Sequence, residues 1–344
     1  MKTVKLGEIQ LQSSPLCCKI SAKENFILVA SKDRKVSLIE IVKDRQGRVI
    51  TFELKKECEI KTGGFVRCCD TDSNDEFLIF GGGDKKIRIV KIEKSEEGRI
   101  LNAKVVKEFK LEGEKGIYCC KISPKFNFLA IGTKNGTLKL VKINKKEEEF
   151  GLEFIEKAEI NVGKKILCLD ISQDENFLIF GGADYKVRLV KIEKDEKGNI
   201  TELKSFPQAE IEFGGWVNSC YLSEDSNFAI VSSLKDQKIR AFKIEKKNDI
   251  KMELLQETEV DDKTFFCEVS FNKNLILVAT KEGSISFFEI KREKETLEIL
   301  PIENSKTNLE SKISCVSLSK TCEFFAIGDE KENKIQLFQI VEKT

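Results

Sequence analysis

The sequence predicts an all-β chain folded as a seven-bladed β-propeller of four-stranded antiparallel blades, with the N-terminal strand completing the last blade. Three observations predict it. Seven copies of one unit, aligned on Phe26, Phe77, Phe128, Phe177, Phe228, Leu275 and Phe324, recur at spacings of 51, 51, 49, 51, 47 and 49 residues, and such self-similarity marks stacked supersecondary units. Each copy contains short β-branched and aromatic runs punctuated by turn formers. The seventh copy ends without a fourth run, while "TVKLGEIQL" precedes the first copy with the missing pattern.

The first run of each unit alternates and is rich in thiols: "LCCKIS", "VRCCDT", "IYCCKIS", "ILCLDIS", "VNSCYLS", "FFCEVSF" and "ISCVSLS". The second ("NFILVAS", "EFLIFGG", "NFLAIGT", "NFLIFGG", "NFAIVSS", "NLILVAT", "EFFAIGD") is continuously apolar, as expected of a strand buried on both faces. A turn follows at Asp33, Asp84, Asn135, Asp184, Asp236, Glu282 and Glu332, and then a third strand such as "KIRIVKI" or "KVRLVKI". The fourth is less regular: "FELKKECEI", "AKVVKEFKL", "LEFIEKAEI", "ELKSFPQAEIEF" and "MELLQETEV" serve five units, and "LEILPIENS" is a weaker sixth. A four-stranded sheet cannot cover both its faces alone, but a closed ring of sheets covers each with its neighbour. The expectation is one domain over 1–344, with blades near 15–62, 63–113, 114–163, 164–214, 215–262, 263–310, and 311–344 plus 1–14.

Composition limits the function classes. With 59 basic and 58 acidic side chains in 344 residues the net charge is +1, which disfavours non-specific nucleic-acid binding by bulk charge. No apolar run approaches the roughly 20 residues that span a bilayer, and the N-terminus lacks the apolar core of a secretory signal. A reducing, intracellular and cytoplasmic setting without membrane insertion is therefore expected, with the 12 cysteines as free thiols. Histidine is absent, which removes the commonest general base near neutral pH and every Ser-His-Asp or Cys-His mechanism.

The thiol or aliphatic strand, the "NF-[LI]-x-[IFV]-[GS]-[GTS]" run, the Asp-type turn and "V-R-L" together resemble the WD40 repeat over essentially the whole chain. Kelch propellers also carry a glycine pair after a strand, as in "IFGGGD" and "IFGGAD", but the pair is missing from the other five copies. The sequence departs from the WD40 pattern at the Trp-Asp pair, replaced by Ile39-Glu40, Val90-Lys91, Val141-Lys142, Val190-Lys191, Phe242-Lys243, Phe288-Glu289 and Phe338-Gln339, and no Gly-His pair exists. The side-chain network that stiffens many such blades is thus expected to be absent, leaving apolar packing as the main source of stability.

A closed ring, no catalytic or phosphate-loop constellation and an aromatic and lysine-bearing rim lead to the expectation of a non-enzymatic scaffold for protein–protein interaction, a single propeller within a hetero-complex, with no cofactor and no metal. The resemblance implies that blade-entry loops and Asp-type turns share the face most used to capture peptides. Two entry loops carry an aromatic after a glycine pair, Phe65 in "TGGFV" and Trp216 in "FGGWV"; Arg67, Tyr118 and Phe265 lie two residues beyond the equivalent place. Aromatics and arginine are enriched at binding hot spots, although filling the strand entrance is the plainer reading. Lysine precedes the turn residue at Lys32, Lys134, Lys235, Lys281 and Lys331, and Lys115, Lys164, Lys165, Lys263 and Lys312 lie in entry loops. These could steer an acidic or phosphorylated peptide, while Glu114, Asp261, Asp262 and Glu310 dilute the charge. The in-register cysteines fit a core-packing role better than metal or redox chemistry, because adjacent cysteines on a strand point to opposite faces. A lactonase- or hydrolase-type propeller enzyme, and an RNA- or ribonucleoprotein-associated propeller, are the alternatives.

Overall fold

The computed structural model describes residues 1–146, 149–246, 249–260 and 265–341, excepting the side chains at 146, 149 and 265, and all its helix- or strand-type elements there are strands. β1 (Lys2–Gln10) comes first. Blade 1 holds β2 (Pro15–Ile20), β3 (Phe26–Ser31), β4 (Lys35–Lys43) and β5 (Val49–Lys61), and blade 2 holds β6 (Val66–Thr71), β7 (Phe77–Gly82), β8 (Lys86–Lys94) and β9 (Ile100–Lys110). Blade 3 is β10 (Ile117–Ile122), β11 (Phe128–Thr133), β12 (Thr137–Lys146) and β13 (Glu149–Asn161); blade 4 is β14 (Ile166–Ile171), β15 (Phe177–Gly182), β16 (Lys186–Lys194) and β17 (Ile200–Glu212). Blade 5 is β18 (Val217–Leu222), β19 (Phe228–Ser233), β20 (Lys238–Lys246) and β21 (Ile250–Glu259). Blade 6 is β22 (Phe265–Ser270), β23 (Leu275–Thr280), β24 (Ser284–Arg292), β25 (Leu297–Pro301) and β26 (Thr307–Asn308). Blade 7 is β27 (Ile313–Leu318), β28 (Phe324–Asp329) and β29 (Lys334–Val341).

Each sheet runs in chain order from inner to outer strand, and the last has the order β1-β29-β28-β27. The expected seven-bladed propeller is therefore what forms, and β1 completes blade 7 with Thr3 opposite Ile340 and Gln10 opposite Lys334. Blade 6 differs in one respect. Its outer strand is broken: β25 pairs with the end of β24 and β26 with its start, and between them Ile302 N–H donates to Phe287 O at 3.0 Å while Ser305 Oγ accepts from Phe287 N–H at 3.2 Å.

The chain falls into two compact units, Met1–Glu112 with Leu277–Phe287 and Ile302–Thr344, and Gly113–Ile276 with Phe288–Pro301. Within each unit the core lies between facing blades. In the first, Phe26, Leu28, Ala30 and Leu38 of blade 1 pack against Val66, Leu78, Phe80 and Val90 of blade 2, while Ile27, Val29, Ile39 and Ile41 pack against Phe324, Ala326, Ile335 and Leu337 of blade 7. The same division recurs in the second unit, where blade 4 faces blades 3 and 5. Successive side chains of a strand point to opposite faces, so a strand with a blade on either side must be apolar at every position. All seven second strands are buried throughout. Burying each large aliphatic or aromatic side chain contributes about 1.5–3 kcal/mol.

In six blades the turn leaving the inner strand is capped by a side chain. Ser21, Ser123, Ser172, Ser223 and Ser319 accept from the backbone N–H five residues on, and Asp72 does so in blade 2. From the same turn a carboxylate reaches the neighbouring blade. Glu24 accepts from Thr321 N–H at 2.7 Å, Asp75 from Ser21 Oγ at 2.7 Å and Lys23 N–H at 3.1 Å, and Glu175 from Lys125 N–H at 2.8 Å.

Apolar packing is joined by a side-chain network that the sequence reading did not foresee. In blades 2, 4 and 5 the turn aspartate pairs with an arginine four residues later, Asp84–Arg88 and Asp184–Arg188 at 2.6 Å and Asp236–Arg240 at 2.7 Å. Each arginine also meets an outer-strand glutamate, Glu108 or Glu210 at 2.7 Å and Glu257 at 2.6 Å. The outer strand of blade 4 brings Glu210 into place by bulging between Ser205 and Glu210, with Pro207 in the bulge and Ala209 tucked beneath it at 1% exposure. Cys58 and Ala158 occupy the same small-residue place in blades 1 and 3, and the glutamates that follow them pair with Lys35 and Lys139.

Candidate partner-binding rim

Each entry loop is tied by backbone to the turn between the second and third strands of its own blade. Lys32 N–H donates to Ser14 O, Gly83 to Phe65 O, Lys134 to Gly116 O, Ala183 to Lys165 O, Leu234 to Trp216 O and Glu330 to Lys312 O, all at 2.8–2.9 Å. In six blades, therefore, the two loop types share one end of the sheet. Residues 261–264, with Asp261, Asp262 and Lys263, lie outside the described residues, as does the side chain of Phe265.

The glycine pairs permit this close approach. A Cβ on Gly64 would lie 2.7 Å from Asp84 N, and one on Gly215 would lie 1.6 Å from Leu234 O, both impossible contacts. With the loop pressed against the turn, the following aromatic is held outward: Phe65 is 42% and Trp216 39% exposed. Each sits beside a cation. The Arg34 guanidinium carbon is 5.8 Å from the Phe65 ring centroid, Lys235 Nζ is 5.8 Å from that of Trp216, and Lys165 Nζ is 5.6 Å from that of Tyr118. Such contacts hold a cation over an aromatic face. Arg34 and Lys235 both adopt left-handed backbone, φ 64° and 73°, which the tight turn requires.

The other expected residues are distributed around these loops. Arg67 and Lys134 are exposed, Tyr118 and Lys281 half-buried. Lys32 pairs with Glu330 at 2.7 Å; this bond, with Lys312 and Lys281 nearby, holds the Glu330 carboxyl below its ordinary range. Lys32 is therefore partly neutralised. Of the turn residues, Asp84, Asp184 and Asp236 anchor arginines, and Asn135 accepts from Thr133 Oγ1 at 3.2 Å and Lys115 N–H at 3.3 Å. Asp33 and Glu282 are exposed. In blade 7 it is the buried Asp329 that accepts from the turn N–H groups of Lys331 and Glu332, while the Glu332 side chain is exposed. Sequence reading missed Asp329 and Arg34, although "GDEKENK" places an aspartate at the end of the buried strand.

Residues 53–91 and 104–142 match the family model described as WD domain, G-beta repeat. Each matched segment runs from an outer strand through the next blade, β5 to β8 and β9 to β12. No curated protein matches the sequence. Among solved structures, the β-propeller domain of Cps50 (Swd1) from Myceliophthora thermophila is similar in fold, with a TM-score of 0.65 and 12% identity over 98% of this chain and 100% of that one. The chain thus has the fold of a β-propeller, two of its segments are similar to the WD repeat, and blades 2, 4 and 5 carry an Asp–Arg–Glu network.

Proposed function

We propose that this chain is a non-enzymatic scaffold, a single propeller that holds protein partners within a larger intracellular, cytoplasmic complex through the rim of entry loops and turns. One observation carries the reading. Phe65 and Trp216 occupy the same repeat position, each forced outward by a glycine pair packed on backbone and each flanked by a cation. A rigid, partly exposed aromatic is the residue type most often found at interaction hot spots. The neighbouring cations favour an acidic or phosphorylated peptide, because they supply charge-assisted donors beside an apolar surface.

The test is affinity purification of the tagged chain from its source cell, with and without Phe65→Ala and Trp216→Ala together. The expected result is a stoichiometric protein partner that the double variant loses by tenfold or more in affinity while retaining its circular dichroism and melting curve. Recovery of the wild-type chain alone, or full binding by a folded double variant, would overturn the assignment.

A further inference from the structure

The inner strands place thiols in pairs across neighbouring blades. Cys17, third in β2, lies 3.6 Å from Cys69, fourth in β6, sulfur to sulfur. Cys168, third in β14, and Cys220, fourth in β18, lie in one apolar cluster, and their thiols donate to backbone carbonyls, Cys168 to Val217 O and Cys220 to Ile179 O, both at 3.7 Å. The two pairs are the same structural position repeated, because third-position side chains face the following blade and fourth-position side chains the preceding one. Access separates them. Cys17 and Cys69 are both partly exposed, whereas Cys168 and Cys220 are 9% and 3% exposed within an apolar cluster.

We propose that Cys17 and Cys69 form a site of oxidative modification, closing a disulfide between blades 1 and 2 by exchange with a small-molecule disulfide, while the Cys168–Cys220 pair stays reduced. This inference does not depend on the rim. The thiolate of Cys69 attacks one sulfur of the reagent, a Cys69–reagent bond forms, the reagent's S–S bond breaks, and one thiol leaves. Cys17 then attacks Cys69 Sγ, forming the inter-blade bond and releasing the second reagent thiol, which takes the Cys17 proton. Two protein thiols are oxidised and one reagent disulfide is reduced to two thiols. Cys69 acts first because its hydrogen bond with Cys17, together with burial, pushes the Cys17 thiol well above its ordinary pKa and keeps it protonated. The finished bond would join strands whose cysteines are 52 residues apart, beside the sheet that β1 closes, and would restrain separation of the two blades.

The experiment uses the full chain with oxidised glutathione, quenching by alkylation, non-reducing digestion and fragment-ion mapping that separates Cys17 from Cys18 and Cys69 from Cys68. The expected result is a Cys17–Cys69 disulfide as the main product, with Cys168 and Cys220 alkylated only after denaturation, and unfolding of the oxidised chain slowed about tenfold. In Cys17→Ser the glutathione adduct should accumulate on Cys69. A Cys168–Cys220 bond forming first, adducts on Cys17 and Cys69 that never join, or both thiols staying free while Cys322 is modified would each overturn the proposal. Because mapping is done on the wild-type chain, a variant that fails to fold leaves the test intact.

Discussion

The carboxylate of Asp75, in the first turn of blade 2, accepts a hydrogen bond from the Ser21 hydroxyl of blade 1 at 2.7 Å. Ser21 Oγ in turn accepts from Asn25 N–H and Phe26 N–H, so one aspartate anchors the cap of a neighbouring turn. Asp75 has no exposed surface. Removing it leaves Lys23 N–H and the serine hydroxyl without this acceptor, which costs about 1–3 kcal/mol.

Asp75→Ala should therefore lower the unfolding free energy by about 2–3 kcal/mol. Asp75→Asn should recover part of that loss, since the amide oxygen can still accept. Denaturant titration of the three proteins checks this, and equal stability of wild type and alanine variant would show that the tie is dispensable.

Gly215→Ala should cost about 2 kcal/mol or more, because the new methyl would meet the Leu234 carbonyl oxygen at 1.6 Å. Gly63→Ala is the control. Its Cβ would be 3.4 Å from Asp84 Cβ, ordinary contact, so its melting temperature should stay within a degree or two of wild type, about 0.5 kcal/mol.

Acid should weaken the blades in a defined window. Hydrogen bonds from Lys186 and Lys238 hold Glu210 and Glu257 below the value of 4.5, and Lys86 does the same for Glu108. Burial pushes Glu24 up, but the Thr321 N–H and Lys43 more than offset it, leaving it lowered. A lowered acid contributes stability that is complete above its unfolded pKa and lost as pH falls through its folded one. Asp72 works in the opposite sense, since burial raises it from 3.8, so its contribution weakens as pH rises past that value. The four glutamates outnumber it, and stability measured from pH 6 to pH 3 should fall below about pH 4.5. Glu210→Gln should make that fall shallower.

Deleting residues 1–10 should leave the outer edge of β29 open, from Lys334 to Val341. An uncovered strand edge is a template for pairing with another chain. The shortened protein should melt lower by several degrees and self-associate in light scattering, and a monomeric deletion variant of unchanged melting temperature would contradict this role.

Much of the architecture was legible because a period-2 strand between two blades must be apolar on both sides, and the second run of every unit is. The Asp-type turns of blades 2, 4 and 5 were legible for a local reason, since aspartate bonds its own turn. The arginine partners were not, although "DKKIR", "DYKVR" and "DQKIR" repeat. Their glutamates arrive from an outer strand about twenty residues away, set in blade 4 by a bulge that carries a weak signal in "PQAEI". The inter-blade carboxylates Glu24, Asp75 and Glu175 were equally hidden, because four of the seven repeats place Phe126, Ser226, Asn274 or Cys322 at that position.

The sequence by itself determined the repeat, the strands, the identity of the buried faces and the strand that closes blade 7, because each follows from side-chain periodicity and local turn chemistry. Only the tertiary structure decided which charges meet, which aromatics stay exposed and which thiols touch, because those depend on distances between segments about fifty residues apart that no local pattern encodes.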